Sequence, residues 1–164
     1  MTDYREFLLY QIEIDTEEMR GLVHHFPPDR WDWRPGPGQW TAREHLNHAR
    51  NVERRYLERL EGVLAHGEYV PPAKPQSEPV DRSESPTTLL EDYVSLRRRE
   101  IAAFRPLTPS QWAHEFDHPT LWGRITVEWW AERVVEHTAE HLQGLWALRQ
   151  LTAIDPERLR ALPR

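Results

Sequence analysis

The sequence predicts an all-α protein in which four long helices form one bundle. Four stretches carry apolar side chains at every third or fourth position, which is typical of helices that bury one face. Cap patterns precede two of these stretches, and nowhere do apolar and polar residues alternate convincingly as in a β-strand. Residues 124–127 are the nearest candidate for a strand. A chain of 164 residues can bury one core, so we expect residues 1–164 to form a single domain.

The first helix is expected over residues 3–25, followed by an ordered loop over residues 26–40. The apolar residues of the helix recur at helical spacing: Tyr4, Phe7, Leu8, Ile12, Met19, Leu22 and Val23. A pair of prolines ends it, because proline cannot donate the hydrogen bond that continues a helix. The loop is rich in Pro and Gly, and we expect three of its aromatic residues to cover one end of the core: Trp31, Trp33 and Trp40.

The second helix is expected from Thr41 to about Ala65, because Thr41 and Glu44 have the spacing of a capping box. The residues that share the inward face of this helix with His48 are His45, Ala49, Val52, Tyr56, Leu60 and Val63. Three further residues are expected away from this stripe or at its margin: Arg50, Arg54 and Leu57. His48 is therefore predicted to face the core.

Residues 67–85 are rich in Pro and Ser and have no apolar period, which indicates an extended connection. At about 3.3 Å per residue this segment reaches roughly 60 Å, whereas a helix of about 25 residues is roughly 38 Å long. The connection can therefore pass along the whole bundle and leave the second and third helices parallel.

The third helix begins with Ser85 as its N-cap and ends before Pro106. Its predicted buried stripe contains Leu89, Leu90, Tyr93, Leu96, Ile101 and Phe104. The arginine run at residues 97–99 is expected to lie on a solvated face of this helix. A short helix over residues 109–114 follows, and then a loop with three polar candidates: His114, Asp117 and His118.

The fourth helix, from about Thr126, places His137 and His141 on its buried stripe beside Val134 and Leu145. Two imidazoles in an apolar seam cost free energy unless their ring nitrogens find partners. Their spacing of four residues also lets two rings converge on one metal ion. After this helix, residues 155–156 predict the cap of one more short helical piece.

If the second and fourth helices are antiparallel, His48 lies at about the same height along the bundle as His137 and His141. It lies roughly 11 Å into its helix, and the pair lies roughly 17 to 22 Å into a helix of about 36 Å. Three neutral imidazoles leave at least one coordination position open, as in catalytic metal sites. Carboxylates usually orient such rings through the second nitrogen, and the candidates in the sequence are Glu44, Glu136 and Glu140.

Other interpretations of the histidines stay open from the pattern alone. The pair can belong to a core network with Tyr56 or Asp15 as the partner, and His45 can border the site or simply pack. His114 and His118 form a second H-x-x-x-H, for which a place at a cavity mouth is the alternative to ligation. Residues 137–141 also match the inverted zinc-protease motif with Glu140 as base, but without a downstream third ligand we interpret this match as false.

Composition excludes several classes of partner and chemistry. The chain has no cysteine, so a thiol reaction would need an external thiol, and its net charge of −6 argues against nucleic acid as a partner. No long uncharged apolar run predicts a membrane span, and the N-terminus lacks the pattern of a secretory signal. We therefore expect a cytoplasmic protein.

The motif from Trp40 to His48, W-T-A-R-E-H-L-N-H, followed by H-T-A-E-H at residues 137–141, resembles the DinB/YfiT-like family of four-helix-bundle metalloproteins. The resemblance implies an up-down-down-up bundle and a divalent metal held by His48, His137 and His141. Zinc or nickel is the expected ion, with iron and manganese as alternatives. The resemblance also implies a homodimer.

Some members of that family are metal-dependent transferases that use a low-molecular-weight thiol such as bacillithiol or mycothiol. We therefore expect a thiol-dependent S-transferase with a small-molecule substrate, in which Tyr56, Trp129 or Trp130 line an apolar pocket. A metal-dependent hydrolase with the same ligands is the second hypothesis. The third is a non-catalytic bundle whose histidines stabilise the fold or a binding surface.

Overall fold

Four long helices form a bundle in a computed structural model of the chain, which describes residues 3–69, 82–118 and 123–154. The long helices are α1 (Tyr4–His24), α2 (Ala42–His66), α3 (Pro86–Phe104) and α5 (Val127–Ala153). The smaller elements are a 3-10 turn (Pro28–Arg30), α4 (Pro109–Trp112), β1 (Glu115–His118) and β2 (Gly123–Thr126). The all-α four-helix-bundle prediction is thus confirmed. Most of the predicted connection and the cap at residues 155–156 lie outside the described residues.

The helices begin at residues whose side chains satisfy free backbone amides. At the start of α2, Thr41 accepts from the Glu44 amide and Glu44 accepts from the Thr41 amide, so the predicted capping box is present. Ser85 accepts from the Thr88 amide at the start of α3, as predicted. None of the helices in the described ranges is long and apolar enough to span a membrane.

The helix directions follow from side-chain contacts at matching ends. Arg5 contacts Glu128 at 3.0 Å, and the Trp146 indole donates to Glu18 at 2.6 Å, so α1 and α5 run in the same direction. On α2 and α3, Arg50 contacts Asp92 at 3.1 Å near the beginning of both helices. Later along the same pair, Glu61 meets Arg99 at 2.8 Å, which makes α2 and α3 parallel as well.

In contrast to these two pairs, α2 and α5 are antiparallel. His45, in the first turn of α2, lies 3.1 Å from His141 in the second half of α5. Tyr56, further along α2, packs its ring 4.9 Å from that of Trp130 near the beginning of α5. Taken together, α1, α2, α3 and α5 point up, down, down and up.

The prediction of no strand is wrong in one place, since β1 and β2 form an antiparallel hairpin. Each strand has only four residues, which is too short for alternation to be recognised in the sequence. Phe116 and Ile125 are paired across the hairpin, and both are buried against the core. The hairpin therefore exists because these two side chains extend the core of the bundle.

A layer of buried polar side chains divides the core into two apolar clusters. One cluster contains Tyr56, Phe104, Trp130 and Val134, and the other contains Met19, Leu46, Tyr93 and Leu145, together with their neighbours. Between them along the helices lie buried polar residues: Asp15, Thr16, Glu53, Arg97, Glu100, His137, Thr138 and His141. Four helices thus contribute to one polar layer inside an otherwise apolar bundle.

Two predictions about arginines are corrected by this arrangement. Arg97 is fully buried, although the run at residues 97–99 was expected to be solvated, and Arg50 is also buried. Leu57, expected at the margin of the inward stripe, is 1 % exposed. The reason is that α2 packs against both α3 and α5, and α3 packs against both α1 and α2. One buried stripe therefore underestimates how much of each helix surface is buried.

Candidate metal centre

His48, His137 and His141 meet inside the bundle between α2 and α5. One ring nitrogen from each lies within 4.8 Å of the other two, so the three can share one metal ion. The Nε2 atoms of His137 and His141 are 3.1 Å apart, and both of these side chains are buried. The antiparallel packing of α2 and α5 thus brings the three predicted residues to the same height.

Trp40 lies beside the histidines from the end of the loop that precedes α2. Its indole ring is 4.9 Å from the ring of His48 and 5.8 Å from that of His141. A second tryptophan of the loop, Trp31, is instead buried in the core next to Phe26. The loop therefore covers both the core, as predicted, and the histidine site.

Burial keeps His48 and His141 in the neutral form that metal ligation requires. Desolvation, with smaller effects of the neighbouring His137 and Arg55, lowers the pKa of His48 to about 4. Desolvation and the adjacent His137 and His45 rings likewise lower the pKa of His141 to about 2. Near neutral pH both rings offer a nitrogen lone pair.

The second nitrogen of His137 points towards a buried carboxylate, Glu53. The Nδ1 atom of His137 lies 3.9 Å from Oε1 of Glu53, and neither atom has a hydrogen-bond partner among the described residues. Both side chains are nearly or fully inaccessible to solvent. Such a carboxylate is the usual partner that orients a ligating imidazole through its non-ligating nitrogen.

Glu53 is itself held by Arg97, at the centre of the polar layer. Arg97 contacts Glu53 and Glu100 at 3.2 Å each, and it donates to the Tyr93 hydroxyl at 2.9 Å and to the Thr138 hydroxyl. Burial alone would raise the pKa of Glu53, but the Arg97 guanidinium overcomes this effect and lowers it. Burial and the charge of Glu53 raise the pKa of Glu100 well above its ordinary value, so Glu53 carries the negative charge.

The second nitrogen of His141 contacts another histidine, His45. The two Nδ1 atoms are 3.1 Å apart, which leaves Nε2 of His141 facing His137. His45 fits there because Gly144 opposes it: a Cβ atom at Gly144 would lie under 3.0 Å from three atoms of the His45 ring. His45 therefore borders the site, and it contacts a candidate ligand directly.

The carboxylates predicted to orient the rings are elsewhere. Glu44 caps α2 and pairs with Arg34, while Glu136 and Glu140 are exposed and pair with Arg133 at 2.9 and 3.3 Å. The exposed position of Glu140 also agrees with interpreting the protease motif as a false match. Asp15, the other predicted partner, accepts from Gln11 on α1 instead.

The second H-x-x-x-H pair does not join the three histidines. The ring of His114 lies 2.9 Å from the Gly67 carbonyl oxygen, and His118 is buried with its ring 5.0 Å from that of Tyr69. Both residues belong to the segment that enters and forms β1, where helical spacing does not apply. Within the described residues, the group that can hold a metal contains neither of them.

A pocket of about 300 Å³ adjoins the histidines. Its lining contains His48, Val52, Arg55, Tyr56, Arg59, Arg133 and His137. Of the three aromatic residues offered as candidates to line a pocket, Tyr56 does so, whereas Trp129 is not in the lining and Trp130 is buried behind Tyr56. The pocket is therefore much more positively charged than the predicted apolar one.

Sequence reasoning missed Glu53, although a signal for it exists. Glu53 lies four residues after Ala49 and three before Tyr56, so it falls inside the predicted inward stripe of α2. An acidic residue at such a position needs a buried partner. Arg55 and Arg59 carry no comparable signal, because arginine at the edge of an amphipathic helix is ordinarily solvated.

Comparison with known proteins identifies the family of this chain. A family model described as the DinB superfamily matches residues 11–145. The chain belongs to the DinB superfamily. No curated protein matches the sequence.

Two solved structures from Bacillus subtilis share the fold of this DinB superfamily member. The first is YfiT, described as a probable metal-dependent hydrolase with an unusual four-helix bundle topology; its TM-score is 0.82 at 21% identity, over 94% of this chain and 91% of YfiT. The second is a DinB-like protein with a TM-score of 0.65 at 16% identity, over 96% of each chain.

The residues present fit a divalent ion. Three imidazole nitrogens converge, the outward-facing nitrogen of His141 contacts His45 at 3.1 Å, and that of His137 faces the Glu53 carboxylate at 3.9 Å. Neither Nδ1 of His137 nor Oε1 of Glu53 has a hydrogen-bond partner among the described residues. If His137 bound a metal through Nε2, its ring hydrogen would lie on Nδ1 and could be donated to Oε1 of Glu53.

Proposed function

We propose that this protein is a metal-dependent enzyme that acts on a small-molecule substrate, with His48, His137 and His141 as metal ligands. The observation that carries the proposal is the convergence of three imidazoles beside a pocket that reaches two of them. Zinc or nickel is the proposed ion, because both accept three imidazoles. When bound, such an ion lowers the pKa of a water or thiol at an open coordination position.

Within this class we propose thiol-dependent S-transfer. The described residues that line the pocket include no carboxylate, so they offer no acidic side chain as a general base. A thiol has a pKa of about 8.5, against about 15.7 for water, and therefore depends less on a base. Arg55, Arg59 and Arg133 would stabilise the thiolate by their charge.

The Tyr56 hydroxyl supplies the neutral polar group of the pocket. Burial raises the pKa of Tyr56 to about 12, against the opposing charge of Arg133, so the hydroxyl keeps its proton. It can donate a hydrogen bond to an electrophile or to the group that leaves from it. A Tyr56→Phe variant would then retain the metal and lose turnover.

Metal-dependent hydrolysis is the second candidate function. It is favoured by the similarity to YfiT, whose description is that of a probable metal-dependent hydrolase. The same three histidines would hold the ion, and the pocket arginines would bind the developing negative charge of the substrate.

Elemental analysis tests the metal centre. The purified protein should contain about one zinc or nickel ion per chain after reconstitution, and a His137→Ala, His141→Ala double variant should contain almost none. If wild-type protein holds no divalent ion, the proposal is wrong and the histidines form a structural network.

Turnover separates the two chemistries. The metal-loaded protein is assayed with a chromogenic aryl halide together with cysteine, glutathione, bacillithiol or mycothiol, and with p-nitrophenyl acetate in the absence of thiol. Aryl-thioether formation that depends on both thiol and metal supports S-transfer. Ester cleavage without thiol supports hydrolysis, and no turnover at full metal occupancy contradicts both.

A further inference from the structure

The pocket beside the histidines is lined by three guanidinium groups from two helices. Arg55 and Arg59 come from α2, and Arg133 comes from α5. Arg55 is 8 % exposed and Arg59 is 5 % exposed, so most of each side chain is withdrawn from solvent. Burial of several like charges around one cavity costs free energy unless negative charge compensates it.

Arg59 forms no salt bridge or hydrogen bond with any residue in the described ranges. Its Nε atom is buried and has no hydrogen-bond partner there. Aromatic rings hold it instead, since its guanidinium lies 5.4 Å from the Tyr69 ring and 6.0 Å from the Trp130 ring. A stacked guanidinium keeps its edge donors available, and these donors match carboxylate or phosphate oxygens two at a time.

The carboxylates near the pocket in the described ranges contact residues other than Arg59. Glu136 and Glu140 pair with Arg133, and with side chains 68% and 57% exposed they are largely solvated. Glu53 lies behind His137 and is bound to Arg97. Arg59 therefore has no carboxylate partner among the described residues.

We infer that this pocket binds an anionic group of the substrate, a carboxylate or a phosphate, with Arg59 as its principal contact. The inference rests on the proposed function, since it names the substrate class for the same site. A volume of about 300 Å³ is at the lower end of ligand pockets and suits a small acid. Because His48 and His137 line the same pocket, the reacting group of the bound molecule would lie beside the histidines.

Calorimetric titration of the metal-free protein tests the inference without relying on the ion. The probes are succinate, inorganic phosphate and the uncharged succinamide. Wild-type protein should bind at least one of the two anions and should not bind succinamide. An Arg59→Gln variant should bind that anion at least about tenfold more weakly, because a charge-assisted hydrogen-bond pair is lost.

Arg99→Gln is the matched control, since it removes the same charge from an exposed position on α3. It should leave anion binding unchanged. An Arg59→Lys variant keeps the charge without the planar fork and should give intermediate affinity. Circular dichroism checks that each variant is folded, and Arg55→Gln replaces Arg59→Gln if the latter does not fold.

The outcomes separate this inference from the proposed function. Binding of succinate alone indicates a carboxylate ligand, and binding of phosphate alone indicates a phosphorylated one; both support the inference. Equal affinity for succinamide, no binding of either anion, or an equal loss in Arg99→Gln overturns it. Metal uptake on reconstitution is measured separately. A protein that takes up the metal but binds neither anion refutes only the inference. A protein that binds an anion but takes up no divalent ion refutes only the metal centre.

Discussion

Glu53 lies fully buried between the Arg97 guanidinium on one side and the His137 ring on the other. One carboxylate oxygen contacts Arg97 at 3.2 Å, and the other faces Nδ1 of His137 at 3.9 Å. A small movement of either side chain would make the second contact a hydrogen bond. Glu53 thus links the polar layer of the core to a candidate ligand.

Replacement of Glu53 by Gln should weaken metal binding about 10- to 100-fold, because His137 loses the carboxylate that orients it. The measurement is a competition titration against a chromogenic chelator. Glu100→Gln is the control: Glu100 contacts the same Arg97, but its raised pKa means that the neutral amide replaces a protonated acid. Equal weakening in both variants would show that the effect comes from the core and not from His137.

Gly144 matters for the space that it leaves, because the His45 ring occupies the position of its missing side chain. Gly144→Ala should therefore displace His45 and weaken metal binding. Gly21→Ala on α1 is the control, since nothing lies within 4 Å of its added Cβ. Gly21→Ala should stabilise the protein by about 0.5–1 kcal/mol through helix propensity alone.

The two glycine variants are compared by urea unfolding and by chelator competition. In a His45→Ala background, Gly144→Ala should become stabilising, because the obstructing ring is absent. If Gly144→Ala leaves metal affinity unchanged in the wild-type background, the contact between His45 and His141 has no role in ligand orientation.

At the scale of elements, α3 is joined to α2 and α5 by Arg97. This side chain reaches Glu53 on α2 and Thr138 on α5, and all three are buried. One buried positive charge thus links three helices. It also explains why an arginine run can contain one residue that belongs to the core.

Arg97→Met should lower the free energy of unfolding by about 3–5 kcal/mol, because it leaves the Glu53 carboxylate buried without its counter-charge. Arg99→Met, two residues away on the same helix, is the control. Its side chain is 58% exposed and pairs with Glu61, so its loss should change the free energy by less than about 0.5 kcal/mol. Urea denaturation measures both, and similar values for the two variants would contradict a central role for Arg97.

At the scale of the whole molecule, a metal ion at the histidines would join α2 to α5 across the bundle. A ligand that binds only the folded state stabilises it by about 4 kcal/mol at a thousandfold excess over its dissociation constant. For a chain of this size that corresponds to a rise in Tm of about 10 °C.

Removal of the metal with a chelator should therefore lower Tm by about this amount, and added zinc or nickel should restore it. Differential scanning calorimetry measures the shift. The His137→Ala, His141→Ala double variant should show no response to either treatment. An equal response in that variant would place the stabilising ion elsewhere in the molecule.

Much of the architecture could be predicted from the sequence because local chemistry determines it. The caps at Thr41 and Ser85 begin helices as predicted, and the stripes of apolar residues identify the four helices. Helical spacing alone puts His137 and His141 on one face of α5. The inward stripe of the second helix and the height of His48 along the bundle identified it as the third candidate ligand, and the resemblance of the motifs at residues 40–48 and 137–141 implied the same set.

The surroundings of the histidines depended on tertiary structure. Glu53, His45 and Gly144 acquire their roles only because α2 and α5 are antiparallel and in close contact, and the hairpin forms only where Phe116 can reach the core. The charge of the pocket was likewise unpredictable, because Arg59 is covered by the rings of Tyr69 and Trp130, which lie outside its own helix. Periodicity reports which face of a helix is buried, whereas the partner of each buried polar group is decided by how the helices pack.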